Sequence, residues 1–293
     1  MMAYSKKDLA FAFRKVGLGY GDVVKVSAEL FKLGRMEGVK TKEEYCQAIL
    51  DAIMEVIGPE GTIVVNTYTS YVGRYGVPFD YERSRPTTGV FPEYILFKAD
   101  SVRSLHPLNS VTAIGKHKEE ICRNVSLTNY GWGSPFDRLL RRECKVLRLG
   151  LRPFVNAFFH VAEMMCGVPY IYNKVLDSEV FVSGKKVNKV FLASVCYLDY
   201  NLHFNLERLI KELAQENIIR TQKVGAGEVH CLDANEYCGV LTRCLLKDPY
   251  YFLDTPPNFV KGVIPWDGFT KGRDNVALEA DYLFNNTAQG KRK

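Results

Sequence analysis

The chain has 293 residues, 47% hydrophobic and 25% charged, a globular composition that excludes intrinsic disorder. Its 39 Lys and Arg against 33 Asp and Glu give a formal net charge of +6 with no long basic run. That pattern gives no footprint for nucleic acid and favours anionic small molecules over cationic ones. It also contains no run of 18 apolar residues, so no membrane-spanning helix is expected.

Ser5 caps a predicted helix over 5–16 with Leu9, Phe11, Ala12 and Val16 as its apolar stripe. Asp22–Ala28 (DVVKVSA) reads as a strand. Thr41–Ile57 is a helix, opened by the Thr41/Glu44 capping box and closed by Gly58-Pro59. Gly61–Asn66 is a short buried strand. Tyr68–Thr88, polar and rich in Gly and Pro, reads as a long loop. A helix over 90–99, a strand at Val111–Gly115 and a short helix over 116–123 follow. Ser134 caps a helix to Arg142 with Pro135 at its first position. Lys145–Leu151 is a strand and Asn156–Cys166 an apolar helix. Strands at 179–182 and 189–193 joined through SGKK, a helix over 204–216, a strand over 218–224 and a helix over 235–247 complete the pattern. Strands alternating with helices indicate an α/β fold. We expect a single domain over residues 1–268 and a polar, partly mobile tail over 269–293.

The eight cysteines include no C-x-x-C pair, and most lie in apolar segments. Free buried thiols in a reducing compartment are the expectation. The N-terminus has no unbroken apolar h-region and no cleavage site, which points to the cytoplasm.

His160 and Glu163 stand at i and i+3 of the apolar helix, on one face. A carboxylate there holds one imidazole nitrogen and leaves the other as a base; a satisfied core pair has the same spacing. The chain has this one H-x-x-E, neither the two E-x-x-H copies of a di-iron bundle nor an H-E-x-x-H, so no metal is expected. In Arg103-Ser104-Leu105-His106-Pro107 the arginine suits a phosphate or carboxylate clamp, or equally a structural ion pair. Gly131-Trp132-Gly133-Ser134-Pro135 offers a helix start as an anion site, or only a capped helix. The segment 137–152 that follows carries six Arg or Lys against two acids.

These pieces stand in one order: G-D-V-V-x-V, G-P-E-G-T-I-V-V-N, Phe79-Asp80, Pro86 to Gly89, R-S-x-H-P-x-x-S at 103–110, G-S-P at 133–135, V-L-R-L-G, H-x-A-E at 160–163 and G-V-P-Y. The series resembles the aminoglycoside 3-N-acetyltransferase family over about residues 5–253. The resemblance implies one α/β domain with a central mixed sheet flanked by helices, and acetyl-CoA or another acyl-CoA as co-substrate. It implies acyl transfer to an amine of an amino sugar, with His160 and Glu163 doing the acid–base work. Asp80, Arg103, Ser104 and His106 are then expected to bind the substrate, and Ser27, Ala28, Glu29, Ser110 and Ser134 to approach the coenzyme. The family usually carries V-H-S-S-L where this chain has Val26-Ser27-Ala28-Glu29-Leu30, so a backbone contact is what remains expected there.

The expected mechanism is direct attack in a ternary complex, because no cysteine has an activating neighbour in sequence. The net charge, with four Lys against two acids over 174–189, leans to a nucleotide-linked or polysaccharide-pathway amino sugar. A true aminoglycoside acetyltransferase conferring antibiotic resistance is the alternative. A non-catalytic coenzyme- or sugar-binding member is the alternative from another class, with a metal-dependent hydrolase more distant. The assembly is left open, with a homodimer as one option.

Overall fold

Ser5 and Thr41 close capping boxes with Asp8 and Glu44, and the helices they start, α1 (Lys6–Lys15) and α2 (Lys42–Ile57), lie where their apolar stripes predict. The computed structural model describes residues 3–196 and 202–257; the tail expected from residue 269 lies outside them. Between and after these helices run β1 (Val23–Ala28), a 3-10 turn at Leu30–Leu33 and β2 (Thr62–Asn66). The expected loop over 68–88 contains α3 (Ser70–Tyr75) and β3 (Phe79–Asp80), and α4 (Val90–Leu96) follows it. The chain then forms β4 (Val102–Arg103), β5 (Val111–Gly115), α5 (Lys118–Cys122), α6 (Pro135–Arg141), β6 (Lys145–Leu149) and α7 (Phe158–Cys166). β7 (Ile171–Leu176), β8 (Val180–Val182), β9 (Lys185–Lys186) and β10 (Phe191–Cys196) precede α8 (Leu206–Gln215), β11 (Arg220–Val224), β12 (Gly227–Asp233) and α9 (Ala234–Lys247).

The main sheet has seven strands in the order β11-β12-β6-β1-β2-β5-β4. Its centre, β6-β1-β2, is parallel, while β12 and β5 join it antiparallel, so the sheet is mixed. Strand alternation sorts the core. Val24 and Val26 of β1 join the layer under α1, α2 and α4; Val23 joins the layer under α5 to α9. Lys25 falls on the second face, between cross-strand neighbours Val64 and Val146. The turn that joins β4 to β5 therefore lies against the C-terminal end of β2, where Asn66 pairs with Val111.

Two smaller sheets stand outside the main one. β10 pairs antiparallel with β7, and β8 pairs with β3 and β9. SGKK is thus the turn of a β8–β9 hairpin, with Ser183 and Gly184 both at positive φ, rather than a link between β8 and β10. All eight cysteines are free thiols, five of them buried. Among the described residues no helix is long and apolar enough to cross a membrane.

Candidate active site

α7 begins where Asn156 Oδ1 accepts the Phe158 N–H at 2.9 Å and ends at left-handed Gly167. Its apolar face packs under the sheet through Phe158, Phe159, Val161 and Ala162. His160 is on its first turn with the ring 40% exposed, and Glu163, one turn on, is fully buried. His160 Nδ1 and Glu163 Oε2 are 2.6 Å apart. Burial works to lower the imidazole pKa, but the Glu163 hydrogen bond and charge outweigh it, and the net shift is upward. With Nδ1–H donating to the carboxylate, Nε2 carries the lone pair. Tyr170 is buried nearby, and burial together with the Glu163 charge raises its phenol well above the ordinary range.

The ring opens on a cavity of about 230 Å³. Lys25 and Arg148 from β1 and β6, Asn66 at the end of β2, Asn109 from the β4–β5 turn, and Ser194 and Cys196 from β10 help to line it. Asn129 ties these parts together: its Nδ2 donates to Asn109 Oδ1 at 3.1 Å, and its Oδ1 accepts the Ser194 N–H at 2.9 Å. Lys25 is 0% exposed, and its Nζ has no hydrogen-bond partner among the described residues. Burial, then the neighbouring Arg148 cation, push its pKa down to about 7. Cys196 was invisible from sequence neighbours, yet its Sγ, a His160 nitrogen and a Glu163 oxygen all lie within 4.8 Å of one another. The sequence expects no metal here; these three are a donor set of the kind zinc accepts.

The other expected site residues have different work. Arg103 is buried, and its Nε donates to Ser110 Oγ, Nη1 to the Tyr81 and Ser84 carbonyls and Nη2 to the Thr67 carbonyl. It stacks 4.7 Å from the Phe79 ring centre and has no acid as a clamp partner. Burial lowers its pKa to about 10. Ser110 spends its hydroxyl on the Thr67 carbonyl, and Ser104 Oγ accepts the Val111 N–H. His106 Nδ1 accepts the Leu108 and Asn109 N–H groups, and Nε2–H faces the Leu192 carbonyl at 3.1 Å. That neutral ring, its pKa pushed down to about 4 by burial, holds the turn that presents Leu108 and Asn109 to the cavity. The arginine, serines and histidine of R-S-x-H-P-x-x-S thus build the cavity wall, and Asn109, between them, is the polar side chain of the segment that lines the cavity.

Asp80 accepts the Glu82 and Arg83 N–H groups in a local turn and does not line the cavity. Ser134 caps α6 by accepting the Asp137 N–H, while Asp137 accepts the Gly133 N–H. Ser134 and Asp137 thus form a local cap at this helix start. Ala28 and Glu29 line a separate groove of about 720 Å³, whose wall includes Leu30, Phe91, Arg35 and Lys40. The Glu29 N–H, expected as a free backbone donor, is committed to the Leu149 carbonyl at 2.9 Å. Ser27 lines neither space. Groove and cavity share no lining residue, but Thr88 of the groove donates its hydroxyl to the backbone carbonyl of Asn66, which lines the cavity.

The model of the family described as aminoglycoside 3-N-acetyltransferase matches residues 26–245. The chain is 27% identical over 259 residues to YokD of Bacillus subtilis (strain 168), an SPbeta prophage-derived aminoglycoside N(3')-acetyltransferase-like protein, covering 79% of this chain and 89% of the relative. It is 28% identical over 257 residues to an aminoglycoside N(3)-acetyltransferase IV of Salmonella sp, covering 86% and 92%. The solved structure described as AAC-IIIb binary with CoASH superposes with a TM-score of 0.71 at 22% identity, covering 87% of this chain and all of that one, a likeness of fold. A match over more than half the chain, on the sheet and helices described above, decides the matter: this chain belongs to the aminoglycoside 3-N-acetyltransferase family.

Proposed function

We propose that the chain transfers an acetyl group from acetyl-CoA to an amine of an amino sugar, with His160 as general base and Glu163 as the group that orients it. One observation carries this reading: an imidazole hydrogen-bonded to a buried carboxylate opens on a polar cavity, in a chain of this family. An alkyl amine with a pKa near 8 is mostly protonated at pH 7, and only its neutral form attacks a thioester. The amine nitrogen bonds to the thioester carbonyl carbon as its proton passes to His160 Nε2, directly or through water. The C–S bond then breaks, and the thiolate of coenzyme A leaves and takes up that proton. Glu163 stabilises the imidazolium formed in between. Base catalysis of this kind contributes roughly 10²- to 10⁴-fold.

The groove beyond β1 suits the coenzyme. Its apolar wall matches a pantetheine arm, and Arg35, Lys40 and Lys42 on its margin match phosphates. The Thr88–Asn66 hydrogen bond sets the groove beside the cavity, as a thioester that reaches His160 from the groove requires.

The named relatives support an aminoglycoside as acceptor better than the nucleotide-linked or pathway sugar that net charge favours. A second reading, a neutral or anionic amino sugar, is favoured by the cavity itself. It carries Lys25 and Arg148, and no carboxylate is among the described residues that line it. Free, largely buried thiols support a reducing, cytoplasmic setting.

Incubation with acetyl-CoA and, separately, gentamicin, glucosamine and a nucleotide-linked amino sugar, with release of coenzyme A followed, tests the proposal. Turnover with at least one acceptor supports it. Coenzyme binding, seen as thermal stabilisation, without turnover on any acceptor would leave the non-catalytic alternative standing.

A further inference from the structure

β1 reads Val-Val-Lys-Val-Ser-Ala, and its third residue points into an apolar layer. Lys25 lies between Val64 and Val146 with no exposed surface. An ammonium taken out of water is costly unless it is paired. Among the described residues Lys25 has no such partner: Nζ makes no hydrogen bond, and the charged group that acts most on it is another cation, Arg148. Both side chains line the His160 cavity. Two further buried polar atoms without partners among the described residues, Asn66 Oδ1 and Asn156 Nδ2, belong to residues that line the same space. They come from different elements and are one acceptor and one donor. Such a set is costly left unmade and is suited to a polar guest with hydroxyls and one negative charge.

We propose that Lys25 and Arg148 form an anion subsite beside His160, which holds a carboxylate or phosphate carried by the amine-bearing acceptor. This deepens the second acceptor reading above and rests on the N-acetyltransferase assignment. The cavity, at about 230 Å³, has room for a single charged amino sugar ring and little beyond it. The anion would supply the partner that Lys25 lacks, and would return its pKa from about 7 toward the ordinary lysine range. Asn66 and Asn156 would meet ring hydroxyls.

The test compares kcat/KM for glucosamine, glucosamine 6-phosphate and a 2-amino-2-deoxyuronate, each with saturating acetyl-CoA, in wild type and in Lys25→Met, which keeps the length and removes the charge. Wild type should prefer at least one anionic acceptor over glucosamine ten-fold or more, and the better of the two says whether carboxylate or phosphate is read. In Lys25→Met the ratio of anionic to neutral acceptor should fall at least ten-fold. A wild type without that preference, or a ratio unchanged by the substitution, overturns the subsite. If Lys25→Met does not fold, inhibition of wild type decides: inorganic phosphate or acetate should compete with the acceptor and not with acetyl-CoA, and an absence of competition overturns it. Gentamicin turnover without turnover of the anionic acceptors would sink this inference and leave the acetyltransferase reading intact. No turnover of any acceptor would sink that reading itself.

Discussion

Glu163 Oε2 stands 2.6 Å from Nδ1 of His160, and the carboxylate is wholly buried while the imidazole is 40% exposed. The pair therefore has one end fixed in the core and the other open to a reactant. Because the net shift of His160 is upward, the base form is gained only above the ordinary imidazole value of about 6.5. The acidic limb of kcat/KM should titrate above that value and flatten at higher pH. In Glu163→Gln the charge is lost and the amide oxygen leaves only a weaker, neutral hydrogen bond against burial, so the limb should move to lower pH while kcat falls by roughly 10²-fold or more. A pH–rate profile of both proteins checks this. A limb that stays in place removes Glu163 from its role.

His160→Ala removes the base but leaves the helix and the groove. We expect kcat to fall by roughly 10²- to 10⁴-fold. Thermal stabilisation by coenzyme A should persist, because the groove residues lie elsewhere. Retention of most of kcat would show that another group takes the proton.

Cys196 shares the cavity with His160, so a covalent route through an acyl-cysteine has to be tested by experiment. For direct attack, Cys196→Ala should keep kcat within about ten-fold, with no burst of coenzyme A release before acceptor is added. Burst kinetics in wild type that vanish in the variant would establish the acyl-enzyme. Zinc ions should inhibit wild type more strongly than Cys196→Ala, since the substitution removes one of three donors.

Arg103 anchors three backbone carbonyls and one hydroxyl from four separate positions. Arg103→Met would take this donor from the buried Tyr81 and Ser84 carbonyls, while Ser110 Oγ and the Thr67 carbonyl keep each other. We expect a loss of stability of about 3–5 kcal/mol. Urea denaturation followed by circular dichroism measures it, and a loss below about 1 kcal/mol would contradict the structural role.

His106 is neutral and buried, with its pKa held down to about 4 against 6.5 in the unfolded chain. A group with a depressed pKa contributes stability above its unfolded value and loses it as pH falls toward the folded one. The chain should therefore lose about 3 kcal/mol from this residue between pH 6.5 and 4. His106→Gln should be less stable at pH 7 and should lose less on acidification. Chemical denaturation at several pH values gives both slopes.

Much of the fold is legible in the sequence because local chemistry is repeated where it matters. Ser5, Thr41 and Ser134 all cap the helices assigned to them. The elements that escape are short or mixed. α3 carries a glycine inside six residues, β7 has adjacent Asn and Lys at its centre, which break any alternation, and β12 interleaves Glu, His and Asp with its apolar residues. In the site, His160 and Glu163 were legible because one helical turn joins them. Lys25, Arg148, Asn129 and Cys196 meet only through the topology, from β1, β6, a loop and β10. One local signal did exist: a single charge on the inward face of an otherwise apolar strand. In R-S-x-H-P-x-x-S a buried hydrogen-bond scaffold uses the same residue types as a binding surface, so the sequence does not separate the two roles.

The cavity takes Lys25 and Arg148 from the main sheet but Ser194 and Cys196 from the separate β7–β10 ribbon. The inward positions of β10, Phe191, Ala193 and Val195, pack into their own small core, leaving Ser194 and Cys196 on the alternate face. Substitutions at those two positions leave the seven-strand ladder untouched. New acceptor preferences can therefore arise in the ribbon while the charged floor, and the chain's ability to fold, stay as they are.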